Sequence, residues 1–269
     1  MTAGDWSGNI DTSTPSTARM YDYYLGGSHN FAADRDAAEQ VIAVAPNVRQ
    51  VARANRAFLH RAVRFMTQAG ITQFLDIGSG IPTAGNVHDI AAETQPHARV
   101  VYADIDPIAV AHSVELLRDN PHAAAIRADL RYPDAILSHY GVRDLLDLTR
   151  PVGLLLVSML HFLPDEQCYP AVATLRDTLA PGSLLAISHV ATEATTRDAE
   201  TQVAAIYQRT NAPTAVSRTL QQISAFFGDF HLEEPGVVWV DHWPHPTEQS
   251  AADPRDIPIY AGLGRKISA

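Results

Sequence analysis

The sequence predicts a doubly wound α/β protein, a mostly parallel sheet with helices on both faces, preceded by a helical extension. Three observations carry this. From residue 73 onward, short apolar runs alternate with amphipathic stretches, the texture of βαβ units. Apolar residues make up 46% of the 269 against 19% charged, enough to bury a sizeable core. A glycine-rich turn, Gly78-Ser79-Gly80, joins the first apolar run to a helical pattern, as at the ligand end of open parallel sheets.

Residues 1–18, rich in Thr, Ser, Gly and Asp, read as a flexible tail, and 19–70 as a helical arm. Within the arm, Arg19 to Phe31 gathers four aromatics around Gly26-Gly27. A helix is expected from Asp34, with Ala37, Ala38, Val41, Ile42 and Ala45 at helical spacing and a stop near Pro46. A longer one follows, with Val51, Ala54, Phe58, Ala62, Phe65 and Ala69 on one face and Gly70 ending it. The core, 71–269, is expected to begin with strand Gln73–Ile77, helix Asn86–Thr94 and strand Arg99–Ala103. Asp106 should cap a helix with Pro107 in its first turn, its inner face Ile108, Val110, Val114 and Leu117. Strands follow at Ala123–Arg127, Val152–Val157 and Ser183–His189, with helix Asp165–Leu179 between the last two. Helices are expected near Thr196–Thr210 and Arg218–Phe227, the second capped by Ser217 and ended by Gly228. Two late strands, Val237–Asp241 and Pro258–Leu263, lack a helix between them and so must pair antiparallel.

Composition excludes several functions. Thirty acidic against twenty basic residues give a net charge of −10, which opposes general binding to nucleic acid. Lys266 is the sole lysine, so the Gly-Lys-Ser/Thr of a phosphate loop is absent and a lysine Schiff base is implausible. The lone cysteine, Cys168, permits no intrachain disulfide and no cysteine-based zinc site. His242 and His245 are split by proline, and no metal is expected. No apolar run has the length of a membrane span and residues 1–19 lack a signal-peptide core, so a cytoplasmic protein is expected.

The chemistry concentrates after the first strand. Gly78 and Gly80 allow a sharp turn and close approach of a ligand, with the free N–H groups of a helix start behind them. A dinucleotide loop would carry a third glycine where Thr83 stands. Asp76, just before the loop, repels a pyrophosphate and attracts an ammonium. Asp104, 24 residues after Gly80, ends the second strand where an acid can accept both ribose hydroxyls, a role equally open in a nicotinamide enzyme. Asp129 could accept an adenine amine, with Leu130 against the ring.

These residues together resemble the class I S-adenosylmethionine-dependent methyltransferases: Asp76-x-Gly78-x-Gly80, then Asp104, then Ala128-Asp129-Leu130, then the turn Leu179-Ala180-Pro181-Gly182-Ser183. Ala18 to Gly27, Asn30 to Arg35, Ala52 to Leu59 and Phe74 to Thr83 resemble, more narrowly, an actinobacterial family of uncharacterised S-adenosyl methyltransferases, once a domain of unknown function. The resemblance implies a Rossmann-like seven-stranded sheet with one antiparallel strand near Pro258–Leu263. It also implies S-adenosylmethionine held by Asp76, Gly78, Ser79, Gly80, Asp104, Ile105, Asp129, Leu130 and Ser158. It implies no acceptor.

Other positions are read from their placement. His161, after the fourth strand, is a candidate general base, and Tyr21 a second catalytic candidate. Tyr21, Tyr23 and Phe31 could form a lid hinged at Gly26-Gly27, with Asn30 reaching cofactor or acceptor; a packing arm is the competing reading. Arg49, Arg53, Arg56, His60 and Arg64 share one helical face, from which Arg53 or Arg56 could reach a substrate, or all could be solvated. A small-molecule acceptor is expected, with no nucleic-acid or membrane partner and a monomer or homodimer. The rival readings are a non-catalytic S-adenosylmethionine sensor and a nicotinamide oxidoreductase. The second lacks Tyr-x-x-x-Lys, since Gly262 precedes Lys266 by four.

Overall fold

The computed structural model describes residues 11–82, 85–246, 250, 253 and 256–268. Residues 1–10 of the expected tail and Thr83 lie outside them. Five strands run parallel: β1 (Gln73–Ile77), β2 (Arg99–Asp104), β3 (Ala123–Arg127), β4 (Gly153–Val157) and β5 (Leu184–Val190). The last strand, β8 (Ile259–Arg265), runs antiparallel against β5, its Ile259 opposite Val190. The seventh position of the sheet is shared by two short strands, β6 (His231–Leu232) and β7 (Val238–Trp239), both antiparallel to β8. The order β3-β2-β1-β4-β5-β8-β6 reverses direction between β1 and β4, and that switch point opens a crevice at the strand ends.

Strand periodicity explains the two faces. Leu75, Ile77, Val101, Ala103, Leu154 and Leu156 pack on one side, among the helices α6 (Pro133–Ser138), α7 (Tyr140–Arg143) and α8 (Asp165–Thr178). Phe74, Val100, Tyr102 and Leu155 alternate to the other side. There they meet Phe58, Leu59, Ala62, Val63 and Met66 of α3 (Val48–Gln68) and the buried Trp243. The last helix of the arm is therefore a layer of the core. A third cluster joins α1 (Thr17–Leu25), α2 (Ala32–Val44) and α3 through Met20, Tyr24, Val41 and Ala52, with Ile206 of α9 (Arg197–Tyr207).

The structure corrects several expectations. The tail stops before residue 16: Ser16 is buried, its N–H donates to Asp34 at 2.8 Å, and α1 begins at Thr17. Helix α2 starts at Ala32, with Asp34 at its third position. Val114 points outward, 43% exposed. Ser217 caps nothing; Thr219 caps the shorter α10 (Leu220–Ser224), and Arg218, expected in a helix, is a fully buried anchor. Gly26 and Gly27 close a helix rather than form a hinge. Gly26 takes the left-handed conformation at φ 86°, and a Cβ on Gly27 would lie 1.9 Å from the Asp22 carboxylate.

Candidate functional site

A cavity of about 450 Å³ lies at the ends of β1 to β5, roofed by α1 and α3. Helical period decides which residues reach it. Thr17, Ala18, Tyr21 and Tyr24 form one face of α1, and Val48, Val51, Ala52, Asn55, Arg56 and Leu59 one face of α3. Tyr23 and Arg53 lie off these faces. Tyr23 donates to Glu39 at 2.5 Å under the Arg49 guanidinium, and Arg53 is exposed. Asn30 instead donates to Asp22 and to the Gly27 carbonyl. Phe31, 39% exposed, lies under the Arg19 guanidinium. Of the arginine stripe, Arg49 and Arg64 pair with Glu39 and Glu93, and only Arg56 borders the cavity.

The cofactor candidates converge there: Asp76, Gly78, Ser79, Gly80, Asp104, Ile105, Asp129, Leu130 and Ser158 all line the cavity. Gly78 is required twice over, by a φ of 73° and because a Cβ would lie 2.8 Å from Met159. Gly80, at φ 67°, has nothing within 4 Å of that position and leaves room for a ligand. Asp104 accepts from Gly80 N–H at 2.7 Å and Asp106 N–H at 2.8 Å, one on each carboxylate oxygen, so it shapes the loop and keeps lone pairs for a ligand. Burial pushes its pKa up to about 6, against those backbone donors. Asp106 is the N-cap of α5 (Pro107–Leu116), as expected.

Asp76 is 5% exposed, and among the described residues no donor reaches its carboxylate. Burial pushes its pKa up to about 7, with the Asp104 charge adding and Arg56 opposing. A buried carboxylate facing a cavity without a donor suits a cationic ligand group. Asp129 is less free. Against partial desolvation, Arg131 holds its pKa below the ordinary value by bonding both carboxylate oxygens.

The neutral end of the cavity lies over β4, β5 and β8. Ser158 adopts φ 56°, rare for a residue with a Cβ. Its N–H donates to both the carbonyl and the Oγ of Ser188, at 3.1 and 2.9 Å. Ser188 Oγ donates to Asn55 Oδ1 at 2.5 Å, Asn55 Nδ2 to Tyr21 Oη at 2.9 Å, and Tyr21 Oη to the Ala52 carbonyl at 3.0 Å. Because a carbonyl only accepts, every proton in this chain is assigned. The Tyr21 hydroxyl proton is therefore committed to Ala52, and burial raises its pKa away from use as a base.

His161 sits in a 3₁₀ turn after β4, borders the cavity, and has a buried Nδ1 without a partner. Burial, with His189 and Arg218 adding, lowers its pKa well below the ordinary value, so the ring is neutral. Arg218 holds this turn. It donates to the Leu160 and Leu163 carbonyls at 3.1 and 2.9 Å and pairs with Asp165 at 2.6 Å. His189 Nδ1 donates to the Val190 carbonyl, which leaves its Nε2 to accept from Arg218 at 2.7 Å. Asn55, Ser188, Arg218 and Tyr207 carry much of this arrangement without having been singled out in the sequence. The one local signal was a polar Asn55 on the apolar face of α3. Among the described residues no group of three or more His, Cys, Asp or Glu could hold a metal ion, and no helix is long and apolar enough to cross a membrane.

A doubly wound sheet with this acidic strand-end pair and glycine loop defines a Rossmann-like S-adenosylmethionine-dependent methyltransferase. The chain belongs to the S-adenosyl methyltransferase family, whose model matches residues 4–267. It is similar to a candidate methyltransferase from Thermobifida fusca, with 41% identity, 96% of this chain and 97% of that chain covered, and a TM-score of 0.90. A DUF574 family protein from Streptomyces avermitilis is 39% identical over 96% of this chain and 100% of its own, also at 0.90. An O-methyltransferase family protein from Burkholderia thailandensis shares the fold alone, with 10% identity, coverage of 92% and 64%, and a TM-score of 0.53. No curated protein matches the chain.

Proposed function

We propose that Asp104 accepts the ribose hydroxyls of S-adenosylmethionine, Asp76 faces its ammonium, and a small-molecule acceptor occupies the neutral end of the same cavity. The observation that carries this is the pair of buried carboxylates, Asp76 and Asp104, at the ends of adjacent strands on either side of an open glycine loop. The residues fit the cofactor. Among the described residues Asp76 has no donor, Asp104 keeps lone pairs free, and the space beside Gly80 is open. Leu130 offers an apolar wall for adenine, while Asp129 can serve its amine only by sharing oxygens with Arg131.

When bound, the cofactor supplies an electrophilic methyl group on a sulfonium. The chain supplies alignment and a dry setting. Tyr21 and Leu59 roof the cavity, and the hydrogen-bond chain through Asn55 holds that roof to the end of β4. His161 is neutral and so can accept a hydrogen bond or a proton from an acceptor. A non-catalytic sensor would need no acceptor space, but here the cavity continues past Ser158 to His161 and Tyr207. A net charge of −10 favours a small acceptor over nucleic acid. One buried free cysteine, Cys168, and no disulfide fit the reducing cytoplasm.

Calorimetric titration of S-adenosylhomocysteine into wild-type and Asp104→Ala protein tests this reading. A loss of tenfold or more, each charged hydrogen bond contributing about 1.5–3 kcal/mol, supports it, and unchanged affinity refutes it.

A further inference from the structure

We propose that the methyl acceptor is an uncharged, largely apolar ring compound bearing a hydroxyl, held between Tyr21, Phe162 and Tyr207 with that hydroxyl on the His161 imidazole. The inference rests on the cofactor reading above and deepens it.

Charge is divided along the sheet. Every Asp and Arg lining the cavity belongs to the side of β1, β2 and β3 or to Arg56 above it. Across the switch point, among the described residues, the lining from β4, β5 and β8 contains no Asp, Glu, Lys or Arg, and the one charged residue of the roof is Arg56 of α3. Arg218 lies nearby but is fully buried, paired with Asp165 and outside the lining. An ionic acceptor would lose its hydration here and meet no counter-charge on the walls from β4, β5 and β8.

The shape of the walls points the same way. Phe162 and Tyr207 lie 5.4 Å apart between ring centroids, tilted by 54°, and Tyr21 presents its ring from α1 with its hydroxyl already committed to Ala52. Rings against rings favour a flat, apolar occupant. Burial keeps the Tyr21 and Tyr207 phenols protonated, so this end stays uncharged.

Beside these rings lies a polar group with hydrogen-bonding capacity to spare, as Tyr24 Oη also has on α1. His161 is 8% exposed and neutral, and among the described residues neither of its ring nitrogens has a hydrogen-bond partner. Its neighbour His189 is spent on Val190 and Arg218, and does not line the cavity. A neutral buried imidazole matches a ligand O–H. A ring hydroxyl is uncharged at neutral pH, whereas a carboxylate is an anion and an aliphatic amine a cation.

The test uses the full-length protein saturated with S-adenosylhomocysteine and three probes of one shape: 2-naphthol, 2-naphthoate and 2-naphthylmethylammonium, titrated by calorimetry. The expected result is 2-naphthol binding about tenfold or more tighter than either ion. His161→Phe should then weaken 2-naphthol about fivefold while leaving S-adenosylhomocysteine affinity intact. The comparison among probes needs no variant, so misfolding of His161→Phe leaves it standing. An ion that binds as tightly as 2-naphthol, or no binding of 2-naphthol to protein that does bind S-adenosylhomocysteine, overturns the acceptor assignment. Failure to bind S-adenosylhomocysteine overturns the cofactor reading instead.

Discussion

The side-chain amide of Asn55 donates a hydrogen bond to the phenol oxygen of Tyr21 at 2.9 Å, and through it the first helix of the chain is tied to the end of the fourth strand. The contact spans 34 residues and the next one, from Ser188 to Asn55, spans 133. Roof and floor of the cavity are thus linked by a continuous run of side-chain hydrogen bonds.

Tyr21→Phe should destabilise the protein by about 1–3 kcal/mol, because the Asn55 amide loses its buried acceptor. Asn55→Ala should cost less in the Tyr21→Phe background than alone, a coupling of about 0.5 kcal/mol or more, read from denaturant unfolding. Additive losses would show that the two side chains do not act together.

The arm is anchored by charge as well. Arg19 is 2% exposed, lies 2.9 Å from Asp34 and 3.7 Å from Asp106, and so joins α1 to the cap of α5 beside Asp104. Arg19→Met should cost about 3–5 kcal/mol by leaving buried carboxylate charge unpaired. Adding Asp34→Asn should return part of that loss. An unfolding midpoint unmoved by Arg19→Met would mean that α1 is only loosely laid over the cavity, as a mobile lid requires.

The acidic pair makes binding depend on pH. With its pKa near 7, Asp76 is partly protonated at neutrality, and an ammonium ligand favours the ionised form. S-adenosylhomocysteine should therefore bind with proton release, and affinity should fall as pH drops from 8 to 6. Calorimetry in buffers of different ionisation enthalpy measures the release, which Asp76→Asn should reduce, leaving the share of Asp104, whose pKa burial raises to about 6.

Stability carries the opposite sign. The folded pKa of Asp76 lies above its ordinary 3.8, so between these values the folded state holds a proton that the unfolded chain has lost. In the ligand-free protein this group therefore destabilises progressively as pH rises from 3.8 toward 7, by about 1.4 kcal/mol for each pH unit, and the loss levels off above that range. The buried His161 and His189, with lowered pKa values, have the reverse dependence and lose stability as pH falls. The difference between wild type and Asp76→Asn isolates the carboxylate. The variant should be the more stable at pH 8 without ligand, and equal or lower stability there would contradict a desolvated charge at this position.

The end of the cavity built from β1, β2 and β3 was legible in the sequence because its signals are local. Strands Gln73–Ile77 and Ala123–Arg127 lie where their apolar runs predict, and Asp76, Gly78, Gly80, Asp104 and the Asp106 cap follow from the turn each must make. The acceptor end was harder to read because its determinants are rotational or long-range. Without the helix at Thr17–Leu25, Tyr23 looks equivalent to Tyr21; with it, Tyr24 takes the cavity face and Tyr23 turns to Glu39. Arg218 fits a helix by spacing, and only tertiary packing shows it sealed against Asp165 and the turn carrying His161. The short β6 lacks periodicity of its own and exists by pairing with β8, whereas β7 falls within the expected Val237–Asp241.

A crystal structure of the protein with S-adenosylhomocysteine tests the central claim most directly. The account predicts both ribose hydroxyls within hydrogen-bond distance of the Asp104 carboxylate, the ligand's amino group beside Asp76, and its sulfur directed toward Ser158 and His161. A ligand bound away from Asp76 and Asp104, or one whose sulfur faces Asp129 and Arg131, would contradict it.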